Sequence, residues 1–219
     1  MFSDDALATF KTALWRIIKK PKRKRDATMK KSLPASNRFC PQTLFVYGTF
    51  NSDDTPDFGL FSWVSYYANE GLGVMAAICE KKRTRDNIRE NTVFSMGLVT
   101  EEMLPLADYL GNTSGYDADK MAIPIDIEKG QVLDVPVLQI CPWTFELEVD
   151  KTFRDNDADI YLCKIRNVLA DEALCDASVS FEEKLNTLRP ARTVGGTYFS
   201  WDGKVLGKWG EPKRRLKQV

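Results

Sequence analysis

Lys81 to Ile88, read as KKRTRDNI, hold the densest run of chemically useful side chains in the 219-residue sequence. Lys81, Lys82 and Arg83 precede Thr84, a residue suited to cap a helix that continues through Arg85, Asp86, Asn87, Ile88 and Arg89. The first turn of such a helix has N–H groups with no partner of their own, so with the three cations beside it the segment can hold a phosphate. Asp86 would sit at the positive end of the same dipole. The plainer alternative is a surface helix with a threonine cap and solvated basic neighbours. Upstream, Ser62 and Trp63 close a strand-like run, and a loop leads into the apolar stretch Leu72 to Cys79. Trp63 can meet a flat ring, and Ser62 can donate to a ring edge or a polyol chain. Together the segments suggest a place for an aromatic ring that carries a phosphate. Trp63 could equally be a core tryptophan.

Composition removes most competitors. The chain has no histidine, so Ser-His-Asp and Cys-His catalysis and histidine-ligated zinc are not available to it. An enzyme built on it must use a cofactor, or carboxylate, Lys, Tyr or Cys chemistry. Five scattered cysteines, Cys40, Cys79, Cys141, Cys163 and Cys175, contain no C-x-x-C pair, which suggests reduced thiols in a cytoplasm. Lysines and arginines match acids at 31 each, which disfavours a nucleic-acid binder. No apolar run is long enough for a transmembrane helix, and the Ser3-Asp4-Asp5 start does not resemble a signal peptide.

The elements that would position these residues read mainly as strands. Expected strands run from Leu44 to Phe50, with Phe58 to Tyr67 as antiparallel partner, then Leu72 to Cys79 buried on both faces, and Thr92 to Val99. Later strands fall near Val137 to Val149, Asp159 to Val168 and Val194 to Ser200. Helices are expected over 84 to 90, over Glu101 to Leu110 with Thr100 as its cap, and over Phe181 to Leu188. Many strands, few helices and no G-x-G-x-x-G argue for a mainly β fold, a β-barrel with a few helices, over a doubly wound sheet.

The spacing of FSW (61 to 63), KKRTRDNI (81 to 88) and FSMGLVTEEMLPLADYLGNTSGYDADK (94 to 120) resembles the flavin reductase family, flavoredoxins included. The resemblance covers roughly residues 40 to 205 and implies an FMN-binding split barrel that forms a homodimer with its flavin near the subunit interface. The resemblance leaves the electron donor and acceptor open; the mechanism expected here takes hydride from NADH or NADPH, with electrons leaving to free flavin or to a redox partner protein. A flavoredoxin-type electron carrier is the alternative, and a split barrel working as a binding or membrane-associated scaffold is a third. It places Ser62, Trp63, Arg83, Thr84, Asn87, Ser114, Lys120 and Tyr198 at the cofactor, with Lys120 stabilising negative charge on the reduced ring. This chain departs from the family pattern in carrying Asp57 where asparagine is frequent, and in having no histidine near the flavin.

The termini read separately. Residues 1–40 suggest an amphipathic helix over residues 3 to 20, with Leu7, Phe10, Leu14 and Ile17 on one face, and a basic linker. From Lys19 to Lys31 there are eight Lys or Arg against one Asp, and residues 32 to 219 then carry about −7. A docking helix with a solvated linker is favoured over contact with an anionic membrane surface. The barrel domain is expected over residues 41–207. Residues 208–219, with Lys213, Arg214, Arg215 and Lys217, read as a basic tail that frays.

Overall fold

A computed structural model describes residues 30–68 and 70–218. The N-terminal helix expected over residues 3 to 20 and most of the basic run lie outside the described residues. The chain divides after Ser36, and Asn37–Val219 form the unit considered below.

Thirteen strands are present among the described residues, β1 (Gln42–Thr43), β2 (Phe45–Phe50), β3 (Pro56–Phe61), β4 (Val64–Ala68), β5 (Leu72–Cys79), β6 (Val93–Leu98), β7 (Ile127–Lys129), β8 (Pro136–Leu138), β9 (Trp143–Asp155), β10 (Ala158–Ala170), β11 (Arg192–Val194), β12 (Thr197–Phe199) and β13 (Val205–Lys208). Helices α1 (Arg83–Asn91), α2 (Leu104–Gly111), α3 (Glu172–Cys175) and α4 (Phe181–Leu188) join them, and Pro212–Gln218 form a 3-10 helix. The main sheet is antiparallel throughout, in the order β3-β2-β6-β9-β10-β5-β4. Its two edge strands, β3 and β4, are consecutive in the chain and joined by only Ser62 and Trp63. A two-residue link cannot cross a seven-stranded sheet, so the edges meet and the sheet closes into a barrel. The expected single strand from Phe58 to Tyr67 is therefore two, and only its first half pairs with β2.

Strand alternation builds two cores. Phe45 and Tyr47 of β2 point into the barrel with Phe61, Val74, Phe94, Leu147 and Tyr161. Leu44 and Val46 face the opposite way, into a second cluster with Leu104, Ala107 and Leu110 of α2. β2 is consequently buried on both sides. The run from Leu72 to Cys79 is not: Met75, on the face opposite Val74 and Ala76, is exposed.

Helix α1 closes one end of the barrel. Its Ile88 is part of the inner core, Asn87 donates to Thr49 and Asn51, and Arg89 grips the buried Asp159 with two bonds of 2.6 and 3.0 Å. Its N-cap is Lys82, with no side-chain cap bond, so Thr84 is inside the first turn and is not the expected cap. α2 likewise begins at Leu104 with Met103 as N-cap, three residues beyond the expected start. The acid expected at its N-terminus, Glu101, instead holds the Trp201 N–H at 2.7 Å and pairs with Arg189. The C-terminal segment is docked, not frayed: the backbone N–H groups of Gly210 and Lys213 bond to buried Asp108 of α2 at 2.8 and 2.9 Å.

Candidate functional site

Residues 81 to 84 meet the loop 112–120 at the mouth of a polar cavity of about 170 Å³, lined by Lys81, Lys82, Arg83, Thr84, Ser114 and Tyr116 among others. The loop is fastened to α1 by the Tyr116 hydroxyl, which donates to Asp86. The Tyr116 ring in turn lies under Lys81 at 5.0 Å and Arg83 at 5.8 Å, holding two cations at the cavity edge. Gly115 passes so close to this cluster that a Cβ there would stand 2.6 Å from the Arg83 Cβ. The backbone N–H groups of Arg83, Thr84 and Arg85 open the helix and have no partner within it.

A second cavity, of about 250 Å³, continues from the first; Tyr47, Leu60, Lys82, Gly111 and Asn112 line both. Its walls include Phe61, Ser62, Trp63, Ala77, Tyr198 and Trp209, so a cationic compartment leads into an aromatic one. At the junction stands Tyr47, fully buried, with a hydroxyl that faces Thr84 but makes no hydrogen bond of full geometry. Burial pushes its pKa well above the usual tyrosine value, so the group stays a neutral donor. A buried hydroxyl without a partner costs free energy unless a ligand supplies one. Gly59 is what admits this ring, since a Cβ there would lie 2.7 Å from the Tyr47 Cζ.

Six of the eight expected residues lie on this groove in a form that a ligand could reach. Ser62 and Trp63 line the aromatic compartment, Arg83, Thr84 and Ser114 the cationic one, and Tyr198 the floor of the former. The Tyr198 hydroxyl is already engaged, donating to Asp108 at 2.8 Å, so only its ring is available. Asn87 does not line either compartment; it ties α1 to β2. Lys120 reaches the cationic cavity, but its ammonium is buried and bonded to Asp57 at 2.8 Å and to the Phe58 carbonyl. The family resemblance implied a flavin-facing lysine, whereas here Asp57 neutralises it. Asp57 is thereby explained as the partner that lets a lysine be buried here.

Sequence reading missed Tyr47, Tyr116 and Trp209. Tyr47 reads as an ordinary inward residue of β2, and only the missing hydrogen bond singles it out. Trp209 comes from the C-terminal segment that was expected to fray. Cys79 also lines the groove; burial raises its thiol pKa, so it is protonated at neutral pH and is no nucleophile.

Residues 37–188 match the profile of the flavin reductase like domain. The chain belongs to that family. Its fold is the family's split barrel, shared with the flavoredoxin of Desulfovibrio vulgaris (Miyazaki F) at 23% identity and a TM-score of 0.70, over 84% of this chain and 98% of that one. The flavoredoxin of Methanosarcina acetivorans is similar at 19% identity and a TM-score of 0.69, over 86% and 100% of the two chains. An FMN-binding protein from Thermus thermophilus, solved with p-hydroxybenzaldehyde, matches at 20% identity and 0.63, over 78% and 93%. A search of curated proteins finds no matching relative. Family membership supports a flavin-binding oxidoreductase. Among the described residues no helix is long and apolar enough to cross a membrane, and no cluster of His, Cys, Asp or Glu is arranged to hold a metal ion.

Proposed function

We propose that the groove binds FMN and that the protein is an oxidoreductase of the flavin reductase type, using NADH or NADPH as hydride donor. The observation that carries this reading is the partnerless Tyr47 hydroxyl, placed where a cationic compartment passes into an aromatic one. Such a junction suits a molecule with an anion at one end, hydroxyls in the middle and a flat ring at the other. FMN, when bound, would supply two-electron hydride chemistry and pass electrons to free flavin or a protein acceptor. The chain's own residues then divide the work. Lys81, Lys82, Arg83 and the opening N–H groups of α1 hold the phosphate, and Thr84 and Tyr47 offer hydroxyls beyond it. Trp63 and Trp209 border the ring compartment and limit water.

A homodimer belongs to the same proposal. Ala77 lines the ring compartment and is paired with Ile160, which is paired with Phe153, and the Trp63 carbonyl accepts from the Ala77 N–H at 2.9 Å. This row, with Trp63 and Phe153 more than half exposed, offers an apolar face next to the groove for a second copy. The likeness to two flavoredoxins supports a second reading, a carrier reduced by a protein partner.

Titration with FMN and with riboflavin tests the binding. FMN should bind at least tenfold more tightly at low salt, and Lys82→Gln should remove most of that difference. Equal affinity for the two, or none for either, would overturn the assignment. Anaerobic NADH or NADPH should then bleach the bound flavin; a flavin that stays oxidised with both points to the carrier.

A further inference from the structure

The end of the barrel opposite α1 is not plugged by a core side chain. Phe45 at the start of β2, Leu98 at the end of β6 and Phe145 near the start of β9 line a cavity of about 750 Å³, which α4 overhangs with Phe181, Leu185 and Leu188. Its volume is that of a small-molecule site. Six aromatic residues line it, Phe45, Tyr66, Trp143, Phe145, Phe181 and Trp201, and three of them are already arranged ring to ring: Trp143 packs edge-on to Phe145 at 6.2 Å, and Tyr66 tilts on Phe145 at 6.3 Å.

The charges of this cavity have one sign. Its lining includes Lys184 and Arg192 and no aspartate or glutamate, in a chain whose acids and bases balance. Among the described residues neither cation has a carboxylate within ion-pair distance, though Asp176 lies in range of the Lys184 charge, whereas nearby Arg189 is paired with both Glu101 and Asp202. Arg192 is fixed over the Trp201 ring at 5.3 Å, its Nη2 donating to the Ser200 and Trp201 carbonyls, and its buried Nε–H has no acceptor. A guanidinium fixed over Trp201 and an ammonium without a close ion pair, set in aromatic walls, match an anion on a flat apolar body.

We propose that this cavity is a binding site for an aromatic carboxylate, its ring among the aromatic side chains and its charge met by Lys184 and Arg192. The site adjoins the proposed FMN groove. The two touch at Ser62, which lines both and whose hydroxyl donates to Gln42 at 3.4 Å, so a molecule bound here would lie beside the proposed ring compartment.

Calorimetric titration of the full chain with 2-naphthoate, neutral 2-naphthamide and octanoate tests the site, first without flavin. 2-Naphthoate should bind at least tenfold more tightly than either comparison compound. Lys184→Gln, a substitution on a helix surface, should weaken it about fivefold and leave the melting temperature unchanged. Leu188→Trp, which narrows the cavity, should weaken binding. Equal affinity for the acid and the amide, tighter binding of octanoate, or an unchanged affinity in Lys184→Gln would each overturn the proposal, as would a second copy of the chain occupying this face. Repeating the titration with FMN present separates the two readings. A chain that takes up 2-naphthoate but no FMN upholds this site and removes the flavin assignment, and the reverse result removes this site alone.

Discussion

Two buried polar groups carry opposite expectations at the level of single residues. The Tyr47 hydroxyl is buried without a partner. Tyr47→Phe should therefore leave the flavin-free protein as stable as before or more stable by up to about 1 kcal/mol, while weakening FMN several-fold. Thermal melts and FMN titration on the same preparation check both halves; a loss of stability without loss of affinity would make Tyr47 structural. Lys120 is the converse case. Removing it by Lys120→Ala leaves the Asp57 carboxylate buried and unpaired, which should cost about 3–5 kcal/mol by urea unfolding. The double change Asp57→Asn with Lys120→Met should recover much of that stability. A Lys120→Ala protein of normal stability with a lowered flavin potential would restore the electrostatic role implied by the family resemblance. The sequence showed Lys120 as a cation in a polar loop, but its partner lies 63 positions away, and nothing local reveals that pairing.

At the scale of elements, α1 owes its position to ties with strands remote in sequence. Arg89 binds the carboxylate of Asp159, which also accepts from the Tyr161 hydroxyl at 2.8 Å. The Arg89 guanidinium, and after it the Tyr161 hydroxyl, hold the Asp159 carboxyl below the usual aspartate range. A carboxylate whose pKa is lowered by folding adds stability above its unfolded pKa, near 4, and loses it as the pH falls through the folded value. The wild type should therefore lose stability steadily below about pH 4. Arg89→Ala should be less stable by about 2 kcal/mol at pH 7 and show a shallower loss in acid, measured as urea midpoints between pH 3 and 7. Element type was legible for α1, for α4 and for most strands, because each has a clear period. Boundaries were less so. Thr84 and Thr100 both have the chemistry of a cap, yet the chain starts its helices where tertiary contacts place Lys82 and Met103. The strand from Phe58 to Tyr67 reads as continuous, because the break at Ser62–Trp63 is made by a change of partner and not by a turn residue.

The whole molecule raises the question of what covers the outer face of β5, β10 and β9. Phe153 is 56% exposed at the end of an apolar row that runs back toward the ring compartment. Phe153→Lys should shift the protein from dimer to monomer in light scattering and weaken FMN several-fold, although Phe153 does not line the groove. A wild-type monomer with full FMN affinity would remove the dimer from the proposal. Closure of the barrel is itself a property of the whole chain. It follows from β3 and β4 being the two sheet edges, which a reading of individual strands cannot show.

The sequence alone determined that histidine chemistry is impossible here, that strands dominate, and that a run of cations opens a helix in a pattern shared with the flavin reductase family. Those properties are composition, period and local spacing, and they are written in neighbouring residues. Tertiary structure decided which cations face the cavity. It paired Lys120 with Asp57 and left Lys81, Lys82 and Arg83 at the cavity. It also left the Tyr47 hydroxyl and the Arg192 Nε–H without partners. Whether a buried polar group is satisfied depends on residues that only the closed barrel brings together, so it is not legible in neighbouring residues.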